Sequence, residues 1–155
     1  MNKQGPWNIH DYESLSWHDA HVYGFWFENI DPENGSSDLV LDIDYILKWE
    51  ENSRGFIFTV SQAELTFKNI FGLKMHLDYK TPTIGMSPFM IKGIYRELIK
   101  SKSRYVSYNW KIPVSCPVGC IEFEAPTFEQ KLVGKPVISE SQHLDLTDRV
   151  NKNVF

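Results

Sequence analysis

Two short stretches, HDAH at residues 18–21 and DIDY at residues 42–45, hold the side chains best suited to chemistry. Histidine titrates near neutral pH and ligates metals, so His18, Asp19 and His21 are the candidate catalytic groups. Asp42 and Asp44 stand two residues apart, a spacing that puts both carboxylates on one face of a strand. A pair so placed can hold a hard divalent cation or divide acid and base roles between its members. His21, Asp42 and Asp44 are therefore the candidate metal set, and the chemistry they would support is hydrolysis by metal-activated water. There is no GxSxG elbow, phosphate-binding glycine loop, HExxH or paired CxxC set in the chain.

Strands must position these groups. Residues 20–28, AHVYGFWFE, are rich in aromatic and β-branched types and run into the turn-forming NIDPENGSS. In SDLVLDIDYILKW, Leu39, Leu41, Ile43, Tyr45 and Leu47 alternate with Asp38, Val40, Asp42, Asp44 and Ile46, the period of a strand. If residues 17–27 are extended, Asp19 and His21 share a face with Tyr23, Phe25 and Phe27 while His18 points away, so the two histidines do not share an ion. Whether His21 meets the carboxylates depends on register. An odd sum of paired residue numbers sets it opposite Asp44, an even sum opposite Ile43 or Tyr45, and the long intervening loop fixes neither.

Further alternation follows in FIFTVSQAELTFKNI, with a change of phase that predicts a bulge near Ser61 and Gln62. LKMHLDY, SRYVSYNWKIPV and VGCIEFEA alternate as well, and Phe128 and Leu132 extend the sheet. The predicted fold is all-β, a single-domain antiparallel meander over residues 1–155 closed as a barrel or packed as a sandwich, with residues 1–12 and 144–155 loose. A β-rich variant with one short helix near 88–100 stays open, because Met90, Ile94 and Leu98 recur at helical spacing although Gly93 interrupts them.

Composition narrows the function classes. The net charge of −4 and pI of about 5.7 supply no basic field for phosphates, which argues against a nucleic-acid partner. No segment approaches the roughly 20 continuous apolar residues of a membrane helix. The N-terminal MNKQGPWNIHDYES lacks the apolar stretch of a signal peptide, so no membrane association and a cytoplasmic location are expected. Cys116 and Cys120 read as two buried or half-buried free thiols. Aromatic residues, at 14%, are in excess and serve either a core or a ligand surface.

SWHDAHVYGFWF and SDLVLDIDYILKW, with IEFEAPTFEQ and KPVISESQHL towards the C-terminus, resemble a family of bacterial hypothetical proteins that share a SWHDxH start and a LVLDIDYI strand. The resemblance spans most of the chain and implies a small, intracellular, β-rich domain with no activity or site residues to carry over.

Two functions follow as expectations. The first is a non-enzymatic binding module of the immunity or ligand-binding type, without a cofactor, in which Trp17, Tyr23, Trp26 and Tyr45 meet a protein partner or a small apolar ligand. The second is the metal-assisted hydrolase, with a divalent metal at the histidine and aspartate groups. Each residue also has a plain structural reading. The histidines pack or face solvent, Asp42 and Asp44 form a wet strand face, and Trp17, Trp26, Trp49 and Trp110 fill the core. The row Lys74, His76, Asp78 faces water.

Overall fold

Alternating apolar residues draw more than half of the described residues into antiparallel pairing. The computed structural model describes residues 4–80, 85–99 and 105–150. Its strands are β1 (Trp7–Asn8), β2 (His21–Asp31), β3 (Ser36–Asn52), β4 (Gly55–Leu77), β5 (Phe89–Ile91), β6 (Tyr95–Ile99), β7 (Ser107–Ser115), β8 (Gly119–Ala125), β9 (Thr127–Leu132) and β10 (Val137–Ser139). Pairing runs β2–β3–β4–β8–β7–β5 and returns to β2, a ring of antiparallel strands within one sheet. β6 flanks β7, β9 and β10 flank β4, and β1 flanks β9. The all-β expectation holds, and no helix among the described residues is long and apolar enough to cross a membrane.

No helix forms in the described part of residues 88–100. β5 and β6 occupy it, separated by Lys92, Gly93 and Ile94. Phe89 and Ile91 are buried on either side of a half-buried Met90, so period two wins over the helical spacing. Pairing on both edges explains the outcome, since Met90 lies between His21 of β2 and Ser115 of β7, where its backbone groups find partners that a helix would have to forgo.

The core lies inside the ring. Leu39, Leu41 and Ile43 face Phe67, Leu65 and Ala63 across the β3–β4 pair. Phe67 stacks at ring-centroid distances of 5.1 Å on Trp110 and 4.7 Å on Phe123, and the Trp110 indole N–H donates to the Ala125 carbonyl at 2.9 Å. Burying a large aromatic of this kind contributes about 1.5–3 kcal/mol, so this group anchors the ring. Each end, expected to be loose, is anchored at a buried apolar residue. Trp7 is buried against Tyr45 at 5.5 Å, and Leu144 is buried over β3.

Five register shifts interrupt the ladders of the described strands. The bulge expected near Ser61 and Gln62 lies instead on the partner strand at Leu47, between the pairs Ile46–Val60 and Lys48–Thr59. The apolar phase change that suggested it has another cause. Val60, Ser61, Gln62 and Ala63 are all buried because this part of β4 is covered on both faces. A second bulge at Tyr23 separates the pairs Val22–Ile43 and Gly24–Asp42. A third interrupts β4 between Phe67 and Ile70, where Asn69 takes a left-handed φ of 48°.

Asp38 ties this last irregularity down. Its carboxylate accepts from the Asn69 backbone N–H at 2.9 Å, the Asn29 side-chain amide at 2.9 Å and Lys68 Nζ at 3.3 Å. Burial alone would raise its pKa, but the donors outweigh burial and hold it below the ordinary 3.8. Asp38→Ala takes the charged acceptor from the Asn69 N–H and the Asn29 amide, and unfolding in urea is expected to show a loss of about 1.5–3 kcal/mol, the range for hydrogen bonds to a charged group. A loss near zero would mean that water replaces the carboxylate.

Candidate functional site

The register is the one that sets His21 across from a carboxylate. His21 pairs with Asp44, the odd sum, so the two side chains share a face, and beyond the Tyr23 bulge Gly24 pairs with Asp42. That face is not a wet one. Residues 142–150 run across it, and Arg149, with only 6% of its side chain exposed, donates to both Asp44 and Asp42, reaching Asp42 Oδ1 at 2.6 Å. Asp44 is fully buried, and its second oxygen accepts from the Leu144 backbone N–H at 2.9 Å. Gln62 completes the contact by donating to Asp42 Oδ1 at 3.1 Å and accepting from the Val150 N–H at 2.7 Å. Tyr23 lies beneath, its ring 3.7 Å from the Arg149 guanidinium carbon and its hydroxyl donating to the Leu144 carbonyl at 3.4 Å.

This is a strap clamped by charge, and it uses the carboxylates that a metal would need. His21 does not join them. Its ring stacks edge-on against His143 of the strap at 5.0 Å, and burial, followed by the charge of His143, lowers its pKa below the ordinary 6.5. Among the described residues, no three His, Cys, Asp or Glu side chains lie close enough together to hold a metal ion.

His18 and Asp19 stand elsewhere. The strand begins at His21, so residues 18 and 19 form a turn rather than the extended run expected of them. Asp19 adopts a left-handed φ of 68°, fixed by its backbone N–H donating to the Ile91 carbonyl at 2.9 Å, a conformation that aspartate tolerates better than most residues. His18 Nδ1 lies 3.1 Å from Asp19 Oδ2, which also accepts from the Gln142 amide at 2.9 Å. The three side chains edge a pocket of about 380 Å³ with Ser16.

The other wall of that pocket is aromatic. Trp49, Phe56, Phe58 and Ile46 line it, with Trp49 and Phe56 in an edge-on contact at 5.6 Å and Phe56 against Phe58 at 6.3 Å. Trp49 is 64% exposed, not a core residue as its position suggests. The Leu47 bulge is the cause. Counting in twos from Tyr45 sends Trp49 inward, but the extra residue turns it to the face of Ile46 and pairs it with Phe58. The signal was Trp49 before the EENSRG turn and FIF after it, three aromatic residues gathered around one hairpin tip.

The expected binding residues divide. Trp17 and Tyr45 are buried in the core, where the Trp17 indole N–H donates to Gln130 Oε1 at 2.7 Å. Tyr23 supports Arg149, and Trp26 is half-buried with its indole N–H donating to Glu28. Both cysteines are free, and Cys116 is exposed, unlike the buried or half-buried thiol expected there. A larger open groove of about 540 Å³ crosses the outer face of β6, β7 and β8, but its side chains alternate in charge, with Lys111 and Glu122 3.9 Å apart, as on a solvated sheet face.

Arg149→Met leaves Asp44 buried without its counter-charge and is expected to cost roughly 3–5 kcal/mol in urea unfolding. Adding Asp42→Asn and Asp44→Asn should recover part of that loss, whereas no recovery would mean that packing rather than charge holds the strap. Because the fold favours neutral His21, its contribution is fully present above the ordinary pKa of 6.5 and fades as the pH falls below that value. The acid limb of the stability profile should therefore flatten in His21→Asn. An unchanged slope would assign the limb to other groups. No family model, curated protein or solved structure matches the chain.

Proposed function

We propose that this protein is a non-enzymatic binding module that takes a ring or apolar group of a small ligand or a protein partner into the pocket beside Trp49. The observation that carries this reading is an indole 64% open to solvent and held in place by Phe56 rather than by the core. Rings already fixed by one another lose little freedom when a ligand arrives, so contact with them is converted efficiently into affinity. The polar edge formed by His18, Asp19 and Gln142 gives such a guest direction, the usual division of labour in a small binding site.

The hydrolase reading lacks comparable support. Asp42 and Asp44 are occupied by Arg149, while His21 faces His143 and His18 faces Asp19 on a separate turn. A binding role needs none of these groups to move.

A panel of small aromatic and alicyclic rings, followed through the Trp49 indole resonance in a proton–nitrogen correlation spectrum, tests the proposal. Binding should shift that resonance, and in Trp49→Ala the same rings should no longer shift the backbone amide resonances of Phe56 and Phe58, while urea stability stays within about 0.5 kcal/mol of wild type, as for an exposed substitution away from the core. A panel that leaves the Trp49 resonance in place would sink it.

A further inference from the structure

The chain contains two built receptors for a guanidinium group. Arg149 lies 3.7 Å above the Tyr23 ring while donating to two aspartates, and Arg96 sits 4.0 Å from the Tyr12 ring and 4.6 Å from that of Tyr108, with Glu13 at 3.8 Å. Each combines an aromatic face with a carboxylate, because a planar cation stacks on the electron-rich face and directs its N–H donors sideways to an acceptor. The pocket beside Trp49 has the same two parts. Its wall offers Trp49 and Phe56, its edge offers Asp19, and among the described residues no lysine or arginine lines it.

We infer that this pocket receives an arginine side chain presented by a protein partner. The guanidinium stacks on Trp49 and donates to the Asp19 carboxylate, whose left-handed backbone and hydrogen bond from Gln142 hold it at the edge. Gln142 Oε1 adds a neutral acceptor beside it. His18, 3.1 Å from the same carboxylate, is the competing donor, and it lies largely in solvent, with its side chain 68% exposed. A net charge of −4 favours approach of a basic surface over an acidic one. The inference rests on the pocket being a binding site and adds the chemistry of its guest.

The probes are arginine capped at both ends, capped citrulline as its neutral isostere, capped lysine, and free arginine, each titrated against the full chain while the Trp49 indole resonance is observed. Capped arginine should shift that resonance, with capped citrulline and capped lysine roughly tenfold weaker, the loss expected when one charge-assisted hydrogen bond goes. Asp19→Asn should weaken capped arginine by a similar factor at unchanged Tm, since asparagine accepts the left-handed backbone as aspartate does. Citrulline or lysine binding as tightly as arginine overturns the inference. So does tighter binding of free than of capped arginine, which would point to a metabolite instead of a partner. If neutral rings shift Trp49 and capped arginine does not, the inference fails while the binding pocket stands. If nothing shifts it, both fail.

Discussion

A fully buried carboxylate is the constraint on which much of this molecule turns. Asp44 has no access to water, and an ion stripped of its hydration shell is tolerated only when donors replace that shell. Arg149 and the Leu144 backbone N–H do so, and both belong to a segment about 100 residues away in sequence. Docking of that segment is therefore set by charge as well as by apolar contact. Once docked, it covers β3 and β4 on a second face, which is why Val60, Ser61, Gln62 and Ala63 are buried in succession in a strand whose alternation would otherwise leave half of them wet.

Extra residues in the ladder are the second organising device. A one-residue insertion reverses the facing of every side chain beyond it. At Tyr23 the tyrosine keeps the face of His21, under Arg149, and the insertion places Phe25 opposite Leu41 on the other face. At Leu47 it brings Trp49 out of the core and into the company of Phe58. The same device thus sets the face of Phe25 at one place and builds the aromatic wall at another, and neither requires an unusual residue.

This explains what could be read in the sequence and what could not. Period two was legible in LVLDIDYI and VSYNWKI because each strand buries one face against the ring, and the all-β fold followed. The His21–Asp44 pairing was legible as one of two registers, but not as the one adopted, since the connecting loop is long. Asp42 and Asp44 looked like a solvated row because alternation reports only that one face is apolar and is silent about what lies over the other. Arg149 sits in a polar tail with no periodicity of its own, so nothing local marked it as the partner of residues so distant. Trp49 was misplaced because a bulge leaves no compositional mark at Leu47.

Strap and pocket are also one mechanical unit. Gln142, which holds the Asp19 carboxylate, is two residues from Leu144 and seven from Arg149, so the clamp on β3 carries one wall of the pocket with it. Releasing Arg149 would remove an acceptor and a donor from the pocket edge while leaving Trp49, Phe56 and Phe58 on their hairpin. A guest that touches both the rings and the Asp19–Gln142 pair therefore binds the strapped form better than the unstrapped one, and by linkage it must stabilise the clamp by the same free energy that the clamp contributes to its binding. The buried charge of Asp44 and the open face of Trp49 are thus coupled through the eight residues 142–149, although their side chains share no contact.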